Sequence, residues 1–197
     1  IGKYCEESSI VRLPSICLPP LPESIDYELD PNTLNVGIEV AIGIYDDPSN
    51  QIQPTVKLNL SDGNIMIIGS AQSGKTTLLQ TMLRGIAESY SPKQVSVYIL
   101  DFASKVLKIY ENLSHVGGVL TDADDEKLKN FFKMIREEIV DRKEKFSQLG
   151  VGSYEAYLAH TSLSDKQHIV IMLDNLAVFT AVFHVSMHSF LNIFRSG

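Results

Sequence analysis

The sequence predicts an α/β domain with a mostly parallel sheet flanked by helices, preceded by an extended N-terminal arm and β-strands. Three observations carry this. Short apolar runs at Ile65–Ile68, Val95–Leu100 and Ile169–Leu173 read as strands buried on both faces. Between them, residues 75–90 and 125–149 carry apolar side chains at helical spacing. Strands alternating with helices favour parallel pairing, because the crossover helix returns the chain to the same sheet edge.

Residues 1–60 are expected to form the arm and its flanking strands, and residues 61–197 the core. Pro14, Pro19, Pro20 and Pro22 exclude helix from the arm, since proline lacks the amide donor and clashes with the preceding turn. Leu13, Ile16, Leu18 and Leu21 alternate with them and predict an extended strap. An apolar run, Val36 to Tyr45, and the alternating segment Thr55 to Leu60 flank Asp46-Asp47-Pro48-Ser49-Asn50. That order predicts two strands joined by a turn-rich loop.

In the core, Leu78, Leu79, Met82, Leu83 and Ile86 mark one buried helix face. Asp122-Ala123-Asp124-Asp125 supplies N-cap residues and acidic charge to a second helix. Leu128, Phe131, Phe132, Ile135, Ile139 and Phe146 form its apolar stripe, and Gly150 ends it.

Composition narrows the function classes. Of 197 residues, 44% are apolar and 21% charged, so wholesale disorder is excluded. A formal charge of −7 argues against a broadly cationic nucleic-acid surface. Two cysteines, Cys5 and Cys17, make no disulfide framework and suit a reducing compartment. The longest apolar stretch, Leu176 to Phe183, is too short to span a bilayer, and no basic-then-apolar leader opens the chain. The chain starts at Ile1 without Met, so the expectation is of a piece of a longer protein.

The chemistry is concentrated in Gly69-Ser70-Ala71-Gln72-Ser73-Gly74-Lys75-Thr76, followed by Thr77. This is G-x-x-x-x-G-K-[ST] between an apolar run and a helix, the context such a motif requires. Glycines let consecutive amides turn into one concavity, and the helix N-terminus adds positive potential for an anion. Lys75 reaches β- and γ-phosphate oxygens, and the Thr76 hydroxyl joins the coordination of Mg²⁺. The pattern therefore implies binding of a nucleoside triphosphate with Mg²⁺.

A carboxylate on a neighbouring strand should complete the metal site. Asp174 stands at the end of the third apolar run, 99 residues after Lys75. Many ATPases of this kind place Glu directly after that Asp to polarise the attacking water; here the position holds Asn175. An amide hydrogen-bonds water but cannot take its proton. Binding with weak or absent hydrolysis is the consequence, unless Asp101, at the end of its own strand, stands in as the carboxylate. The histidines form no metal set. His115 reads as a loop or core residue, and His184 and His188, four apart, lack an acid or cysteine to complete a site.

Several further segments carry a resemblance. Leu18-Pro19-Pro20-Leu21-Pro22 is similar to a proline-rich lead-in. Gly43 through Asp46-Asp47-Pro48, with Gln51 and Gln53-Pro54, resembles a G-x-x-D-D-P-x-x-Q-x-Q-P segment. Tyr90-Ser91-Pro92, Tyr98-Ile99-Leu100-Asp101-Phe102 and His115-Val116-Gly117-Gly118-Val119 follow in the same order. Together they resemble the FtsK/SpoIIIE-type ATPase domains, more closely those of the type VII secretion motors, EssC/EccC. The resemblance implies a RecA-like core of the additional strand-exchange class. It also implies ATP and Mg²⁺ as ligands, and neighbouring modules of the same longer chain as partners. Secreted helical proteins of the WXG type are the implied substrates. Anchoring, through other parts of the protein, would be at the cytoplasmic face of the bacterial membrane. The other main branch of the family, ATP-driven DNA translocases, is the alternative.

Departures from the pattern refine this. Besides Asn175, the glycines that active modules carry after Asp101-Phe102 are Ala103-Ser104-Lys105 here. Type VII motors string several modules in tandem, the later ones tending to be degenerate. The resemblance therefore points to a C-terminal module, the third, continued beyond residue 197 by another core strand.

Overall fold

A computed structural model describes residues 17–26, 37–152, 156–157, 167–182 and 193. The chain forms two compact units, one from Ile1–Asp26 and Gly43–Val56, the other from Tyr27–Ile42 and Lys57–Gly197.

In the smaller unit the residues after Cys17 have no regular structure and are exposed, as the prolines dictate. Gln53 Nε2 donates to Pro19 O at 2.8 Å. The turn at Asp47 is closed locally: Asn50 donates through its backbone and its side chain to the Asp47 carboxylate. Those bonds hold that carboxyl below its usual range, the side-chain bond first. The turn connects β1 (Glu39–Ile44) to β2 (Thr55–Asn59), which pair in a two-stranded sheet.

Among the described residues the main sheet of the larger unit has three parallel strands in the order β4-β3-β5. They are β3 (Val95–Asp101), β4 (Val116–Thr121) and β5 (His168–Asp174). Alternate residues of the sheet face opposite sides. Val95, Val97, Ile99, Val119 and Met172 join Leu79, Met82, Leu83 and Ile86 of α1 (Lys75–Ser89), with Ile38 and Val40. Leu100, Leu120, Ile171 and Leu173 meet Leu128, Phe131, Phe132 and Ile135 of α2 (Asp125–Leu149) and Phe179 of α3 (Leu176–Val182). Each fully buried aliphatic or aromatic side chain contributes about 1.5–3 kcal/mol. These stripes therefore fix α1 on one face and α2 with α3 on the other.

The predicted helices end where their sequences say. Gly150 adopts φ 66° and its N–H closes on Phe146 O and Ser147 O, a left-handed C-terminal stop. Asp124 holds the N-cap position of α2 without capping it. Its Oδ2 instead accepts Thr121 N–H at 3.0 Å and the Thr121 hydroxyl at 2.8 Å, which holds its carboxyl below the usual range, with Lys127 adding to the effect. Among the described residues no helix is long and apolar enough to cross a membrane.

One predicted element is absent. Ile65–Ile68 is not a strand; Ile68 is 86% and Met66 63% exposed, and only Ile67 packs against the core. An apolar run becomes a buried strand only where a neighbour supplies ladder hydrogen bonds. In the described sheet neither edge strand, β4 or β5, is paired with this segment. Conversely, β4 was hidden by Gly117 and Gly118, which weaken a strand signal. Gly117 is required there, since a Cβ would lie 2.6 Å from the Tyr98 ring. His115 is buried beside β4, its Nε2 2.8 Å from Tyr90 O, as a core residue. His160, His184, His188 and Cys5 lie outside the described residues.

Candidate nucleotide site

The loop Gly69–Gly74 leads into α1 with no side chain capping the helix. Its first amides are therefore left for a ligand. Two residues take left-handed backbone, Gln72 at φ 60° and Gly74 at φ 86°. Gly74 does so at no steric cost, whereas Gln72 is held there against its preference. At Gly69 a Cβ would collide with Ser73 Oγ, so a side chain there would have to displace that hydroxyl. Ser70, Ala71, Gln72 and Ser73 are exposed, as is Thr77 in the first turn of the helix.

Lys75 folds back over this loop. Its Nζ donates to Ser70 O at 2.6 Å and Gly69 O at 3.0 Å. The ammonium is thus held at the concave loop, where an anion would meet both it and the helix N-terminus.

The next residue reaches across the fold. Thr76 Oγ1 donates to Asp174 Oδ2 at 2.8 Å, joining positions 98 residues apart. Asp174 ends β5 and is only 5% exposed. A hydroxyl and a carboxylate side by side are hard oxygen donors, and the pair fits Mg²⁺. Among the described residues no cluster of three or more His, Cys, Asp or Glu side chains stands ready for a metal. Mg²⁺ held by one carboxylate, phosphates and water requires none.

Asp101 lies beside Asp174 in register across the β3–β5 ladder, and Phe102 N–H donates to Asp174 O at 3.2 Å. Its carboxylate is wholly buried and already engaged. Oδ1 accepts the amides of Ala103 and Lys105 at 3.2 Å each, and Oδ2 accepts that of Leu107 at 3.0 Å. These bonds shape the turn into the 3-10 helix Val106–Tyr110. The turn presents Lys105, at φ 59°, to Asp122 at 2.8 Å. That exposed bond raises the lysine and lowers the aspartate, the hydrogen bond being the main cause in each.

Asn175 is also left-handed, at φ 68°. Its Oδ1 accepts Val178 N–H and its backbone O accepts Phe179 N–H, each at 3.2 Å. Spacing brought Asn175 to notice as a missing glutamate; its work at the head of α3 was signalled only by asparagine's preference for N-caps.

Three comparisons bear on this arrangement. The family model described as the FtsK/SpoIIIE family matches residues 30–189. The ESX secretion system protein EccC of Geobacillus thermodenitrificans is 34% identical over 177 residues, 88% of this chain and 12% of that protein. Two solved structures are similar. One is EssC (ATPases 2 and 3) from Geobacillus thermodenitrificans, with a TM-score of 0.77 and 31% identity over 91% of this chain and 34% of that one. The other is EccC (ATPases 2 and 3) of Thermomonospora curvata in complex with a signal sequence peptide, with a TM-score of 0.73 and 25% identity over 89% of this chain and 33% of that one. The chain therefore spans about an eighth to a third of the length of these relatives.

Proposed function

Because the chain belongs to the FtsK/SpoIIIE family, we propose that it is a Mg·ATP-binding ATPase module of a type VII secretion motor of the EssC/EccC kind. It holds ATP and hydrolyses it slowly. The observation that carries this reading is the pairing of the Thr76 hydroxyl with the Asp174 carboxylate beside the Lys75 loop. In this reading the loop amides from Gly69 to Thr77 and the Lys75 ammonium bind the phosphates. Thr76 and Asp174 hold Mg²⁺, which when bound neutralises phosphate charge.

Slow turnover follows from which groups are free to act. Asn175 carries no carboxylate, and the Asp101 carboxylate is already taken up by three backbone amides. Asp101 thus acts as a turn anchor and is not free to serve as the general base in place of the missing glutamate. Occupancy, more than turnover, is then the useful output. A ligand that binds only the folded module stabilises it and its packing against neighbours. Neighbouring ATPase modules of a longer chain are the proposed partners, this one being the third, with secreted WXG-type helical proteins as substrates. Anchoring at the cytoplasmic face of the membrane would come from other parts of that protein.

Thermal unfolding tests the reading. ATP with Mg²⁺ at about a hundred times its Kd adds about 2.7 kcal/mol. For a chain of this size, that raises Tm by roughly 5–10 °C. An unchanged Tm at millimolar Mg·ATP would overturn it.

A further inference from the structure

The strand–helix junction after Asp174 is built around one residue, and its construction bears on the metal site. That metal site is the one of the nucleotide-binding reading above, on which its role depends. Asn175 turns the chain from β5 into α3 within a single left-handed residue, at φ 68°. Its Oδ1 takes the Val178 N–H and its carbonyl takes the Phe179 N–H, each at 3.2 Å. Phe179 is fully buried, its ring 5.4 Å from that of Phe102 and 6.2 Å from that of Phe132. The junction is therefore pinned to the core on the helix side. On the strand side, Phe102 N–H holds the carbonyl of Asp174 itself. Asp174 is thus clamped between two fixed points, with its Oδ2 on the Thr76 hydroxyl.

We infer that Asn175 is a positioning residue: its left-handed backbone and its side-chain cap on α3 fix the Asp174 carboxylate against Thr76, where both hold Mg²⁺. Few L-residues do both jobs. Asparagine tolerates the left-handed region and is among the best N-caps. Alanine does neither, and glycine keeps the backbone but drops the cap. Glutamate lacks asparagine's tolerance of that backbone and is not among the preferred N-caps. The amide at position 175 thus has its own task, separate from the carboxylate that its place after Asp174 brings to mind.

Metal dependence separates positioning from general stability. The affinity of a fluorescent ATP analogue is measured for the 197-residue chain, in Mg²⁺ and in EDTA, alongside Tm without nucleotide. Asn175→Ala is expected to lower affinity in Mg²⁺ by about tenfold, the lower end of what losing a ligand's supporting partner costs. Affinity in EDTA should change by less than about twofold, well below that supporting-partner range. Asn175→Gly, which takes the backbone without strain, covers the case in which the alanine variant does not fold. Its loss should be smaller and again confined to Mg²⁺. Equal losses in both buffers, or none in either, overturn the inference. A wild-type chain that binds no analogue in either buffer overturns the nucleotide-binding reading, and this inference with it.

Discussion

Lys75→Ala is expected to weaken ATP binding by about a hundredfold. A charge-assisted hydrogen bond contributes up to about 3 kcal/mol, and each 1.4 kcal/mol is a factor of ten. The folded chain itself should barely notice. The Lys75 ammonium caps two carbonyls of an exposed loop, and such surface substitutions usually fall within about 0.5 kcal/mol. The nucleotide-free Tm should therefore stay within about a degree or two of the wild type. The rise in Tm produced by Mg·ATP should disappear. This combination separates a working site from a vestigial loop. A variant that keeps both its affinity and its ATP-induced shift would show that the loop binds no phosphate.

Asp174→Asn should act differently. The amide keeps the shape of the β5 terminus but removes the charge that Mg²⁺ needs. Affinity in Mg²⁺ is expected to fall by about a hundredfold, the upper end of what loss of a mere supporting partner costs, because Asp174 itself faces the metal. Affinity in EDTA should change little, so the ratio of the two affinities collapses towards one. Asparagine still offers an oxygen to the Thr76 hydroxyl, so the contact that now measures 2.8 Å can be kept. Calorimetric titration of ATP with and without Mg²⁺ measures both numbers. An unaltered ratio would mean that the metal is held elsewhere.

Much of this was legible in the sequence because the signals were local. The phosphate loop is contiguous, and the apolar faces of α1 and α2 repeat at helical spacing. Asp174 closes an apolar run that the chain uses as a strand. What was not legible depends on partners distant in sequence. Ile65–Ile68 carries the composition of a buried strand, yet strand formation is a property of a pair, and the described sheet pairs β5 with β3 alone. β4 pairs well but contains Gly117, whose missing side chain makes room for the Tyr98 ring. Asp101 reads as a spare carboxylate by position. Only the folded turn reveals three amides already bonded to it. For Asn175, spacing drew attention to the carboxylate it lacks, and said nothing of the left-handed backbone it supplies.

Retention of ATP with slow cleavage is open to direct measurement. A single-turnover experiment, with labelled ATP, Mg²⁺ and protein in excess, reads bound and cleaved nucleotide together. An ATPase of ordinary speed clears its bound ATP within about a second. The expected result is ATP retained by the protein and still intact after many minutes. Prompt cleavage to ADP and phosphate by the wild-type chain would contradict it.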